Sequence, residues 1–257
     1  MPLQFKESGT SVYAINYKHL IGKLFELEID IFQDKDIQKY YFKQWQTVLE
    51  RAEKNDLENY FPYYSSHGTN DQYFTYQFFL GEQEYFLHFN ISHLIELLEL
   101  TEIPSENIPT KEFSDPQSDI FWKKPTDGKR SLSYGKPIIM IPLYIGTYNH
   151  IVIDGNHRIQ DALAKSEESI PLQYIDTLTL LESNTFFTSF DQLFYAFLCE
   201  LKLMTLEKDD DDSSLLKKSY LHYRYNIFNN IPSTSQPSPL LWKWLRKIMS
   251  SFPWSKR

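Results

Sequence analysis

Hydrophobic positions first recur at helical spacing over residues 17 to 31, where Tyr17, Leu20, Ile21, Leu24, Leu27 and Ile31 share a face. Residues 36 to 52 repeat the pattern with Ile37, Tyr41, Trp45, Val48 and Leu49, which predicts a second helix packed on the first. The stretch YFPYYSSHGTND that follows reads as a loop. The period then changes to two. QYFTYQFFL over 72 to 80 places Phe74, Tyr76, Phe78 and Leu80 on one face, Gly81-Glu82 supplies a turn, and EYFLHF returns as a strand. A helix follows with Ile91, Leu94, Ile95 and Leu98 on one side. Residues 1–98 are read together as an N-terminal α+β accessory region, from which no chemistry is legible.

Between residues 104 and 137 the pattern dissolves. Pro104, Pro109, Pro116, Pro125 and Pro137 stand among Ser, Asp and Lys, which predicts loop with short pieces of regular structure. KPIIMIPLYIG then reads as a strand, Thr147 to Asn149 turn the chain, and HIVID reads as a second strand. GNHRIQDALAK starts a helix with Ile159, Ala162 and Leu163 inward, and IPLQYI closes the block as a third strand. Residues 99–180 form the central domain on this reading, and 181–257 a helical region. Ser189 with Gln192 makes a capping box for a helix carrying Phe190, Leu193, Phe194, Phe197 and Leu201. Asp209 to Asp212 read as a solvated loop. Residues 229–239 read as a linker. The end, LLWKWLRKIMSSFPWSKR, is a basic amphipathic helix that packs through its Trp side chains, docks on a partner, contacts nucleic acid or lies on an anionic membrane surface.

Composition narrows the classes. The 257 residues are 42% hydrophobic and 23% charged, which excludes disorder, and 18 Tyr, 19 Phe and 5 Trp supply a sizeable core. A net charge of -8 gives no global attraction to nucleic acid, so such a partner is not favoured. One cysteine, Cys199, excludes an internal disulfide or a cysteine-based zinc site, and its apolar setting predicts a buried structural thiol. The histidines show no metal-ligand spacing. MPLQFKESGTSVY has no apolar core of signal-peptide length and no run is long enough to span a bilayer, so a cytoplasmic protein is expected.

The chemistry concentrates where HIVID meets the next helix. The strand ends at Asp154, and Gly155 permits a tight turn and close approach of a ligand to the backbone. The helix begins near Asn156 or His157, and its first amides have no intrahelical partner, so they and the helix dipole favour an anion. Arg158 adds a permanent charge with a fork that suits phosphate oxygens, and His157 adds a donor. A carboxylate repels phosphate, so Asp154 makes sense as a Mg²⁺ ligand or as the base for an attacking hydroxyl. Its plainer role is to cap the helix and orient the turn.

The block KPIIMIPLYIGTYNHIVIDGNHRIQDALAKSEESIPLQYI resembles the ParB/sulfiredoxin-like superfamily, and its Asp-Gly-X-His-Arg version looks like the branch that includes free-serine kinases. EIPSENIPTKEF is similar to the opening strand and loop of that family. The resemblance implies a small mixed sheet with helices, an ATP-type nucleotide held through Gly155, Asn156, His157 and Arg158, and Mg²⁺ on Asp154. It implies a catalytic role for Asp154 with a second carboxylate from the early loop, Glu112 first, with Glu102 and Asp115 behind it. A small molecule or a protein would accept the phosphoryl group. Asn156 stands where sulfiredoxins carry a catalytic cysteine, and no second Glu-Asn-X-X-Arg motif follows, so sulfinic acid reduction and the partition-clamp mechanism are not implied. The alternatives are a non-catalytic nucleotide-responsive module that recruits a partner, and a ParB-like DNA-acting protein or nuclease. The reading requires an Arg158 that is open to an oxyanion rather than locked in an internal ion pair.

Overall fold

The structure is a computed structural model that describes residues 2–6, 9–26, 29–67, 71–101, 103–126, 135–145, 147–207 and 210–228. The linker over 229–239, the basic C-terminal helix, Asp209 and Glu102 lie outside the described residues. Contacts divide the chain into two units. Among the described residues, those up to Phe89 join those from Phe186 to Phe228, and Asn90–Thr185 form the other.

The first unit holds β1 (Leu3–Lys6), β2 (Gly9–Val12), α1 (Tyr17–Glu26), α2 (Lys35–Asn59), α3 (Phe61–His67), β3 (Tyr73–Leu80) and most of β4 (Gln83–Asn90). Tyr41, Trp45, Leu49 and Ala52 form the buried face of α2, as the spacing predicts. The helix runs past residue 52 because Ala52, Glu53 and Asp56 continue that face. Asp34 starts it by accepting from the amides of Asp36 and Ile37. The loop expected next is instead the short α3, since Pro62 sits in the first turn, where its missing N–H costs nothing. The hairpin of β1 and β2 has no counterpart in the sequence expectations. It is anchored by buried Phe5 against Tyr64 and Phe187.

The second unit begins with α4 (Ile91–Leu100), β5 (Ser105–Pro109), a 3-10 turn at Thr110–Phe113 and β6 (Ile120–Phe121). It continues through β7 (Ile138–Ile145), β8 (Tyr148–Asp154), α5 (Asn156–Ala164), β9 (Ser169–Tyr174) and α6 (Thr177–Glu182). The five strands make one mixed sheet in the order β5-β9-β7-β8-β6. β7 is central, antiparallel to β8 and parallel to β9. Ile138, Met140, Val152, Ile170 and Leu172 face Ile159 and Ala162 of α5 in one core. Pro142 lies beyond the stretch of β7 paired with β9, where the register with β8 also shifts, a place that tolerates a missing N–H.

The chain then returns to the first unit through α7 (Ser189–Leu206), α8 (Asp212–Lys218) and α9 (Tyr220–Tyr225). α7 is buried on almost every side, Cys199 included, so the thiol is a core group. Its cap is Thr188 with Asp191 rather than Ser189 with Gln192. The Thr188 hydroxyl accepts from the Asp191 amide while donating to the Asp191 carboxylate. Asp210 and Asp211 lie in the solvated segment before α8, as expected, but the carboxylates of Asp210 to Asp212 are engaged. Asp211 caps α8, Asp212 accepts from the amides of Gln33 and Asp34, and Asp210 pairs with Lys218.

The α+β class matches the expectation. The divisions after residues 98 and 180 do not coincide with the contact units. Residues from Phe186 pack with the N-terminal segment because Phe197 and Glu200 of α7 meet Trp45 and Tyr41 of α2. α4 falls in the second unit. It is tied at its start by the Asn90 amide donating to the Thr185 carbonyl at 2.8 Å.

Candidate functional site

The strand-to-helix corner forms where it is expected. β8 ends at Asp154, paired with Ile139, and α5 starts at Asn156. Gly155 between them has φ 97° and ψ 14°, the left-handed conformation that glycine adopts without strain. A Cβ there would lie 2.6 Å from Ile138 Cγ2 and 2.8 Å from Arg158 Nη2. The turn is therefore tight for two reasons, and the guanidinium lies directly across it. As N-cap, Gly155 gives α5 no side-chain hydrogen bond. Asn156 does not cap it either, since its Oδ1 accepts from the Lys123 amide at 2.9 Å and holds the chain after β6. His157 is half-buried in the first turn.

Arg158 is already engaged. Its Nη2 donates to Asp154 Oδ2 at 2.7 Å and to the Pro137 carbonyl at 3.0 Å. The two side chains are mostly covered, 12% exposed for Arg158 and 22% for Asp154. Arg158 Nε is buried and has no hydrogen-bond partner. A buried donor left unpaired costs on the order of 1–3 kcal/mol, so this atom is placed for an acceptor. The expectation of an Arg158 open to an oxyanion is not met: the guanidinium is held in an internal ion pair with the carboxylate four residues before it, and its buried Nε is the donor left without an acceptor.

The pair lies on the wall of a cleft of about 260 Å³ within the second unit. Lys136, Glu99 and Gln173 complete its polar lining, while Ile95 and Leu98 of α4 line it together with Pro137 and Ile139. Two positive and two negative side chains therefore share one cavity. Gln173 is fixed by its Nε2 donating to the Ile103 carbonyl at 3.0 Å, which leaves its oxygen as an acceptor. Glu112 sits half-buried on the 3-10 turn that packs against α5, and the cleft lining does not include it. Asp115 is exposed and accepts from the Gln117 amide.

Glu99, Lys136 and Gln173 are absent from the sequence reading. Lys136 adjoins the Pro-Ile start of β7, a usable signal. Glu99 follows Ile95 and Leu98 at helical spacing, but nothing in the sequence says that this face meets the glycine corner. His150, also on β8, is buried against Tyr174 with ring centroids 5.7 Å apart. Burial lowers its pKa, outweighing Asp119 at 3.6 Å.

Among the described residues, no group of three or more His, Cys, Asp or Glu side chains is placed to hold a metal ion, and no helix is long and apolar enough to cross a membrane. Comparison with protein families, with curated proteins and with solved structures returns no match.

Proposed function

We propose that the unit Asn90–Thr185 is a ParB/sulfiredoxin-like domain that binds the phosphates of an ATP-type nucleotide and transfers or hydrolyses a phosphoryl group. One observation carries the reading: a left-handed glycine sets the start of a helix beside Arg158, whose buried Nε has no acceptor, on the wall of a cleft that also holds Lys136 and Asp154. The amides at a helix N-terminus, a guanidinium and an ammonium group each favour an oxyanion. The strand, turn, strand, helix, strand order of β7 to β9 agrees with the resemblance read from the sequence.

The cleft lies below the roughly 300–1,000 Å³ of a pocket that encloses a drug-sized ligand. It suits the phosphates and the group next to them, with the rest of a nucleotide outside. Lys136 and Arg158 neutralise phosphate charge in this scheme, and Asp154 takes the proton of an attacking hydroxyl or holds Mg²⁺. Mg²⁺ supplies charge neutralisation at the phosphates. It commonly binds through one or two carboxylates plus phosphate oxygens, which Asp154 and Glu99 on one cleft can satisfy. Calorimetry with ATP, ADP, CTP and GTP in the presence of Mg²⁺ tests the reading. Binding of at least one is expected, and heats of dilution alone for all four would refute it.

A second reading, a nucleotide-responsive module without turnover, is favoured by the engagement of Asp154 with Arg158 and by the position of Glu112 off the cleft wall. Binding without phosphate release or transfer would select it.

A further inference from the structure

We propose that Asp154 and Arg158 act as a charge lock, which parts for a ligand that brings both signs of charge: a divalent cation for the carboxylate and a phosphate group for the guanidinium. This rests on the phosphate-binding reading and adds a selectivity to it.

A guanidinium grips an oxyanion at two points through Nε with Nη2 or through Nη1 with Nη2. Both faces include Nη2. In this structure Nη2 donates to Asp154 Oδ2 at 2.7 Å and to the Pro137 carbonyl at 3.0 Å, while Nε has no partner. A phosphate therefore obtains a two-point grip only by displacing one of those acceptors. Pro137 directly precedes β7, whose Ile138 pairs with β9 and whose Ile139 pairs with both β8 and β9, so its carbonyl is held by the sheet. Asp154 is the acceptor that can turn away.

A bare phosphate gains little from that exchange. It swaps one anion for another on Arg158 and leaves a carboxylate facing it across a mostly covered cleft. Like charges held close in such a place repel strongly. A divalent cation removes the penalty, because it accepts the released carboxylate while bridging to the phosphate. The cation alone fares no better, since taking Asp154 would strip Arg158 of its counter-ion. No carboxylate-rich cage among the described residues compensates for that loss. Each half of the ligand thus needs the other. The arrangement excludes free orthophosphate and metal-free nucleotide.

The test is isothermal titration of the full chain with inorganic tripolyphosphate, once with Mg²⁺ and once in chelator. The wild type should bind at least tenfold more tightly with Mg²⁺, and Mg²⁺ alone should give no measurable heat. Asp154→Asn should bind metal-free tripolyphosphate at least tenfold more tightly than the wild type and lose most of the Mg²⁺ dependence. Equal wild-type affinity with and without Mg²⁺ overturns the lock while leaving phosphate binding intact. Metal-free affinity in Asp154→Asn that stays at or below the wild-type level overturns it as well. No binding to either protein in either condition overturns the phosphate reading beneath it. The wild-type metal dependence decides the matter even if the variant fails to fold.

Discussion

The carboxylate of Glu200 and the hydroxyl of Tyr41 lie 2.7 Å apart in the interior of the first unit, and both residues are fully buried. The same carboxylate accepts from Trp45 Nε1 at 3.1 Å, the Ser219 hydroxyl at 2.7 Å and the Tyr220 amide at 2.5 Å. One side chain of α7 therefore ties α2 to the start of α9. Removing it leaves four buried donors without their acceptor. Glu200→Ala is expected to cost about 3 kcal/mol or more, read from denaturant unfolding.

Glu200 also sets a pH dependence. Burial raises its pKa above the ordinary 4.5, and the hydrogen bonds from Tyr41, Ser219, Tyr220 and Trp45 pull it back only in part. A carboxyl with a raised folded-state pKa holds its proton more tightly folded than unfolded. Its contribution is complete below the unfolded value and is lost as the pH rises through the folded one. The melting-temperature advantage of the wild type over Glu200→Gln should therefore be greatest below pH 4.5 and shrink as the pH rises above it. A gap that widens with rising pH would contradict the assignment.

His88 and Asp191 form a second buried pair, with Nδ1 3.0 Å from Oδ1. The Phe5 amide donates to His88 Nε2 at 3.4 Å, so that nitrogen is the acceptor and the proton sits on Nδ1, where it donates to Asp191. This tautomer links β1, β4 and α7 and rules the pair out as an exposed acid–base dyad. Nitrogen-15 spectra of the His88 ring should show a protonated Nδ1 and an unprotonated Nε2 at neutral pH. The reverse pattern would refute the hydrogen-bond assignment.

The glycine corner was legible in the sequence because its signal is local: an apolar strand, a glycine and a helix start within a dozen residues. The α+β class followed from the change between periods of two and 3.6. What escaped depends on which segments meet across long separations. Glu99 carries no mark that α4 reaches the end of β8. The charge pair is hidden for a different reason: a carboxylate and a guanidinium beside a glycine turn each suit a ligand on their own, and the sequence does not show that the turn places them in contact. The mixed first unit was illegible since Trp45 and Phe197 are far apart in sequence.

Gly155→Ala tests the corner itself. The methyl group would enter a left-handed backbone and meet Ile138 Cγ2 at 2.6 Å and the Arg158 guanidinium at 2.8 Å. Strain of about 1–2 kcal/mol and overpacking of about 1–3 kcal/mol should combine to lower stability by roughly 2–5 kcal/mol. Thermal unfolding measures the cost. A loss below about 0.5 kcal/mol, the level of an ordinary surface change, would show that the turn is looser than described.

The carboxylates can be ranked by function. Glu99 lines the cleft with Asp154, and Glu112 does not. If the cleft is where the phosphates sit, Glu99→Gln should change the Mg²⁺-dependent affinity for nucleotide by about 3- to 30-fold, equivalent to about 0.6–2 kcal/mol for one charged contact at a partly exposed site. Glu112→Gln should leave it within about twofold, as expected of a surface change. Titration calorimetry on both variants, with circular dichroism to confirm the fold, measures the contrast. A large loss in Glu112→Gln with none in Glu99→Gln would move the site from the α4 side of the glycine turn to the side of the 3-10 helix. The expectation drawn from the sequence would then describe the chemistry better than the cleft does.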